Sequence, residues 1–184
     1  GKCSGTELVS VMSRGNDVLM QLGQLSAGAT AAGTAAGQKA FPTLLIGGLV
    51  ALVPAPNQAT AQQSIGLAVQ TTSASGGSQT AIATAAVTAA AQLGAPVAAA
   101  QAAAAKAGTD ATAAGAAAGN KYAADNGPAL VGKLAQAGAE MAKLVKEQIV
   151  AKGANYVVVN NLPDVASTPS GKSQSPSTQE LIKA

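Results

Sequence analysis

Two polar clusters follow two apolar runs in a sequence that carries few charges. SRGND (13–17) comes directly after ELVSVM (7–12), and NNLPD (160–164) comes directly after YVVV (156–159). Both clusters hold amide and carboxylate groups, which can donate or accept hydrogen bonds to a ligand. In folds with parallel strands, ligands bind beyond the carboxyl ends of the strands. If both apolar runs are strands, the clusters mark a candidate binding or catalytic face.

Several kinds of chemistry are excluded by what the 184 residues lack. There is no histidine, and the serines have no lysine at Ser-x-x-Lys spacing, so no serine has a base to activate it. The only cysteine is Cys3, so neither an intrachain disulfide nor a zinc or transition-metal site is expected. We therefore predict no metal and no cofactor. Asp17 and Asp164 could form a carboxylate pair, although an Asp after a Pro is more simply a turn residue.

The elements that would position these clusters can be read from periodicity. Residues 7–13 predict a buried strand, and a helix is expected to start near Asp17. The clearest helix covers 128–152, with Pro128 in its first turn and Gly153 as its C-terminal cap. Residues 154–162 predict a second strand whose apolar run suggests burial on both faces. This order predicts a parallel βαβ unit within an α/β sandwich.

The segment between these elements is rich in alanine and glycine. Residues 57–127 predict a low-complexity helical insertion within a single partial domain, 1–184. Helix breaks are expected at 94–96 and near Gly108, and the Gly-spaced residues 27–38 predict a loop or a weak helix. Alanine buries little area, so weak packing is expected for these helices.

Charge and hydropathy limit the partners. The net charge of +3 comes from scattered lysines with almost no aromatic residues nearby, which argues against nucleic-acid binding. The most apolar window, TLLIGGLVALV (43–53), is too short to cross a bilayer as a helix and predicts a buried or partly amphipathic segment. No signal peptide is visible in this sequence.

Two stretches resemble blocks of the SGNH (GDSL-type) esterases and lipases, above all their secreted or autotransporter-type bacterial branch. They are ELVSVMSRGNDVLMQL and KGANYVVVNNLPDVASTP, in this order with a strong helix between them. The matches cover residues 5–25 and 127–184. The resemblance implies a three-layer α/β/α sandwich with parallel strands, in a secreted or cell-surface protein. The alanine-rich middle contributes nothing to it.

The resemblance also implies roles for individual residues. Asn16 would donate its side-chain amide N–H to the oxyanion of a tetrahedral intermediate, and Asp17 would support the turn. An Asn at this position is also a common helix cap. Asn161, Pro163 and Asp164 would lie at the substrate-binding loop. Arg14 stands where the family has a glycine, and both the Gly-Asp-Ser and Asp-x-x-His blocks are absent.

Two hypotheses for the function follow. In the first, the chain is an internal segment of a serine esterase or lipase that hydrolyses acyl esters or lipids, and the missing flanking segments supply the nucleophile and the base. In the second, it is a non-catalytic, alanine-rich helical interaction module or the decayed remnant of a hydrolase. In either case the chain by itself cannot run the family's mechanism.

Overall fold

Helices make up most of the structure, a computed structural model that describes residues 2–12, 16–160, 167–173 and 179. The elements in chain order are β1 (Leu8–Met12), α1 (Asn16–Val50), α2 (Gln58–Ala74), α3 (Gln79–Gln92), α4 (Val97–Gln148), β2 (Tyr156–Asn160) and the short α5 (Pro169–Lys172). Single 3-10 turns lie at Ala55–Asn57 and Val150–Lys152. The chain divides into two compact units, unit 1 (Gly1–Thr30 with Asn120–Ala184) and unit 2 (Ala31–Gly119).

The predicted three-layer α/β/α sandwich is wrong. Within the described ranges the only sheet has two strands, and long helices account for most of the remaining residues. The error has a physical cause. The prediction extended a larger sheet from two short apolar runs, whereas the alanine-rich helices pack together around large side chains from residues 41–53.

Unit 2 is an antiparallel bundle of four helical segments. They are residues 31–50 of α1, then α2, α3, and residues 97–119 of α4. Short connections reverse the chain direction between successive helices, as in up-and-down bundles. Two of these connections lie at the same end of the bundle, because Asn57 Nδ2 donates to Leu93 O at 3.3 Å.

The core of unit 2 is built from rows of residues that recur every three or four positions. One row on α1 supplies the large side chains Phe41, Leu45 and Leu49, each no more than 4% exposed. The other helices add Ile65, Val69 and Ile82 but mostly alanines, among them Ala86, Ala90, Ala100, Ala104 and Ala111. The segment 43–53 is amphipathic, because Leu45, Leu49 and Val53 lie in this core while Leu44 and Gly47 are exposed.

Close approach of α1 and α4 compensates for the small side chains. A Cβ placed on Gly33 would lie 2.9 Å from Gly115 O, and one on Gly115 would lie 2.7 Å from Gly33 O. A Cβ on Gly37 would lie 3.2 Å from Ala111 O. Glycine is needed at these positions because the two backbones are in contact.

Several helix boundaries in the structure differ from the predicted ones. The Gly-spaced stretch 27–38 is part of continuous helix α1, and α4 runs through Gly108 without a break. Pro128 lies inside α4 rather than in the first turn of a helix. The break at 94–96 is confirmed, since α3 ends at Gln92 and α4 begins at Val97.

Unit 1 contains the sheet, in which β1 and β2 are parallel with Leu8 opposite Tyr156 and Met12 opposite Asn160. Gly153 precedes β2 at a φ of 101°, which confirms its role at the end of the preceding helical turn. The expected burial of both strands is wrong. Leu8 and Met12 are 68% and 75% exposed, and Tyr156 is 60% exposed.

None of the helices in the described part of the chain has the length and hydropathy required to span a membrane.

We expect Gly115→Ala to lower the free energy of unfolding by about 1–3 kcal/mol, because the added methyl group must push α1 and α4 apart. Gly47→Ala is the matched control, since a Cβ at Gly47 meets nothing within 4 Å. There the helix propensity of alanine should raise the free energy of unfolding by up to about 1 kcal/mol. Urea denaturation followed by circular dichroism measures both changes. Equal effects of the two substitutions would contradict the packing described for Gly115.

Candidate functional site

The two strands end side by side, at the points where the two polar clusters follow in the sequence. β1 and β2 are parallel, and their last residues, Met12 and Asn160, are paired with each other. Asn160 Nδ2 donates to Ser10 Oγ at 3.0 Å, so the amide of Asn160 is engaged within the sheet. This geometry is the part of the predicted site that the described residues contain.

The structure describes little of the residues that were predicted to act in catalysis or substrate binding. Helix α1 begins at Asn16, followed by Asp17, but the side chains of both lie outside the described part. Asn161, Pro163 and Asp164 lie outside the described residues altogether, as does Arg14. The role of Asn16 in an oxyanion hole and the roles of the other four residues therefore stay predictions.

A carboxylate at the opposite end of the sheet has a defined environment. Glu7 precedes β1, and its Oε1 and Oε2 each accept a hydrogen bond from Ser4 N at 2.9 Å. Gly5 N also donates to Oε2, at 3.1 Å. Hydrogen bonds from Ser4, its backbone N–H above all, lower the pKa of Glu7 from the usual 4.5 to about 2.

The segment that leads into Glu7, residues 3–7, has a structural role. Cys3 N donates to Lys152 O at 2.8 Å, and Asn155 Nδ2 donates to Gly5 O at 3.0 Å. The segment thus joins the chain ahead of β1 to the chain ahead of β2. Across the described residues there is no cluster of histidine, cysteine and carboxylate groups that could hold a metal ion.

Unit 2 contains a groove that the sequence did not predict. It has a volume of about 560 Å³ and lies between α3 and α4, with Phe41 of α1 among its lining residues. Three rows of residues, each spaced by four positions, line the groove. Two rows are on α3, Thr80, Thr84 and Thr88 and then Ala83, Val87 and Ala91. The third row is on α4 and consists of Val97, Gln101 and Ala105. The spacing of Thr80, Thr84 and Thr88 was the available sequence signal for a shared helix face.

The groove is apolar and carries no charged side chain. Two of its threonine hydroxyls bond within their own helix, because Thr84 Oγ1 donates to Thr80 O and Thr88 Oγ1 donates to Thr84 O, both at 2.9 Å. The methyl groups of these threonines therefore add to the apolar surface. Gln79 and Gln101 bring amide groups to the lining. The volume falls within the usual range of small-molecule sites.

Neither a scan of protein-family models nor searches of curated proteins and of solved structures found a match to this sequence.

The lowered pKa of Glu7 predicts a pH dependence of stability. In the folded state Glu7 stays ionised down to about 2, whereas the unfolded chain binds a proton near 4.5. The contribution of Glu7 is therefore complete above the unfolded pKa, and it is lost as the pH falls through that window. Glu7→Gln should flatten the fall in the unfolding midpoint over this range.

Thermal unfolding scans at stepped pH, followed by circular dichroism, measure this slope. Glu140→Gln is the matched control, since it removes another exposed carboxylate, leaves Glu7 in place and should keep the wild-type slope. If Glu7→Gln also keeps that slope, the hydrogen bonds from Ser4 and Gly5 do not stabilise the folded chain.

Proposed function

We propose that the chain is a non-catalytic helical module whose unit 2 binds a neutral, apolar molecule between α3 and α4. The observation that carries this proposal is the groove of about 560 Å³, which is lined without a charged side chain. A charged ligand would lose its hydration there without gaining a partner of opposite charge, which is costly. A neutral apolar ligand instead gains about 0.8 kcal/mol for each buried CH₂ group.

The groove has an elongated shape, which suits a long and narrow ligand. Its lining on α3 runs from Gln79 to Ala91, about 18 Å along the helix axis at 1.5 Å per residue. The lining of α4 runs alongside, from Val97 to Gly108. Phe41, which is 4% exposed, belongs both to the core and to the groove lining. A ligand in the groove would therefore contact the side chains that hold the bundle together.

Titration of the full chain with the neutral dye Nile red tests the groove. We expect saturable binding with one site per chain. Ala105 lines the groove on α4 and Ala102 does not, although both are exposed on the same helix. Ala105→Glu should raise Kd by about tenfold or more, and Ala102→Glu by less than about twofold. Equal effects of the two variants, or a lack of saturation, would contradict the proposal.

A second experiment addresses the non-catalytic part of the proposal. The chain has no histidine to activate a serine. We therefore expect p-nitrophenyl octanoate to compete with Nile red for the groove without release of p-nitrophenol above the buffer rate. Ester cleavage that disappears in Asn16→Ala would overturn this part and favour the hydrolase hypothesis.

The ester-hydrolase segment is a second candidate, and one observation favours it. β1 and β2 are parallel and end side by side, and a polar cluster follows each of them in the sequence. The described residues do not contain the larger sheet that such a hydrolase requires. If this candidate is correct, Asn16→Ala in the intact enzyme should lower turnover of acyl esters about 100-fold or more. A loss of less than about threefold would exclude Asn16 as the oxyanion donor.

A further inference from the structure

The sheet of unit 1 has two open edges. Among the described residues it consists of β1 and β2 alone, so each strand has one edge without a neighbouring strand. Such an edge presents a row of backbone N–H and C=O groups that can pair with another strand. Two strands are fewer than an independent sheet normally needs, and parallel strands are normally covered on both faces.

One face of this sheet is apolar and exposed. By register, Leu8, Met12, Tyr156 and Val158 point to the same side, and their exposed fractions are 68%, 75%, 60% and 45%. The hydrogen bond between Asn160 and Ser10 lies on this face as well. The ten residues of the two strands include no charged residue and no proline, which are the usual means of protecting an edge.

The size of this surface favours an extended peptide over a second folded copy. Ten strand residues are well below the roughly 20–30 residues that each partner contributes to a stable interface. A peptide that adds a strand gains affinity from backbone hydrogen bonds, with side-chain pockets adding specificity. The edge of β2 suits such a strand better than that of β1, because its three consecutive valines have high β propensity.

The charges ahead of the two strands indicate which charge the bound peptide carries at that end. Lys2 and Lys152 lie close together ahead of the two strands, because Cys3 N donates to Lys152 O at 2.8 Å. The ion pairs found in the described part of the chain involve other lysines, at 106, 121 and 143. The carboxylate of Glu7 accepts its bonds from Ser4 and Gly5. That carboxylate is ionised, but the two lysines outnumber it, so the net positive charge at this end of the sheet favours an acidic residue.

We propose that the outer edge of β2 binds an extended peptide, with β-branched apolar residues at its centre and an acidic residue at the end that lies beside Tyr156. This site is independent of the groove in unit 2, since it uses backbone pairing in unit 1.

Fluorescence anisotropy of the full chain with synthetic peptides tests the proposal. The probes are a labelled peptide with the sequence Thr-Val-Val-Val-Thr followed by two aspartates, and its counterpart with the two aspartates first. We expect saturable binding of one of them, and which one binds gives the direction of the added strand. No saturable binding of either peptide would overturn the proposal.

N-methylation of alternate residues in the peptide separates strand addition from simple apolar adsorption. In an added strand only every second N–H points to the neighbouring strand. Methylation of one alternate set should therefore weaken binding by about tenfold or more, and methylation of the other set should leave it nearly unchanged. Equal losses for both sets would overturn the proposal.

A charge reversal tests the acidic end. Lys152→Glu should weaken binding of the aspartate peptide by up to about fivefold and strengthen binding of a peptide with lysines in place of the aspartates. Lys133→Glu on α4 is the control and should change neither. Sedimentation velocity of the chain alone completes the test. If the chain forms dimers that the peptide dissociates, the occupant of the edge is a second copy and the proposal is wrong.

Discussion

The contact between the backbones of α1 and α4 is the constraint on which unit 2 depends. An alanine side chain removes little area from water, so helices that offer alanines to a core gain stability only if they come close enough to pack densely. Gly33 and Gly115 permit that approach, because a Cβ at either position would meet the carbonyl of the other. The large side chains on α1 can then reach the alanine faces of the other helices.

The groove between α3 and α4 also results from the small size of the alanine side chains in the core. In the described core, α4 offers alanines to unit 2, while Phe41 and the leucines come from α1. Glycines let the backbones of α1 and α4 come into contact. Among the described residues no such glycine contact joins α3 and α4, and the groove lies between them. Its lining includes Phe41, a residue of the core. An apolar groove is therefore a direct result of how this core is composed.

The extent to which the sequence predicts this structure depends on whether the signal is local. Both strands, the break at 94–96 and the cap at Gly153 could be predicted, because β-branched runs and turn residues act over a few positions. For residues 27–38 the sequence left a loop and a weak helix open, and the helix forms because contacts between distant helices offset the local cost of glycine. The exposure of β2 was missed, since an apolar run does not reveal whether neighbours cover it. The groove needs side chains from three helices, which no single stretch of sequence shows.

The alanine core also bears on how the stability of unit 2 varies with temperature. The heat-capacity change of unfolding grows with the apolar surface that becomes exposed, and exposed polar backbone lowers it. Rows such as Ala86 with Ala90 and Ala100 with Ala104 expose little apolar surface when the helices separate. The heat-capacity change per residue is then small, and the curve of free energy against temperature is shallow. A bundle with such a core loses little of its stability on cooling, because its stability curve bends only weakly below the melting temperature.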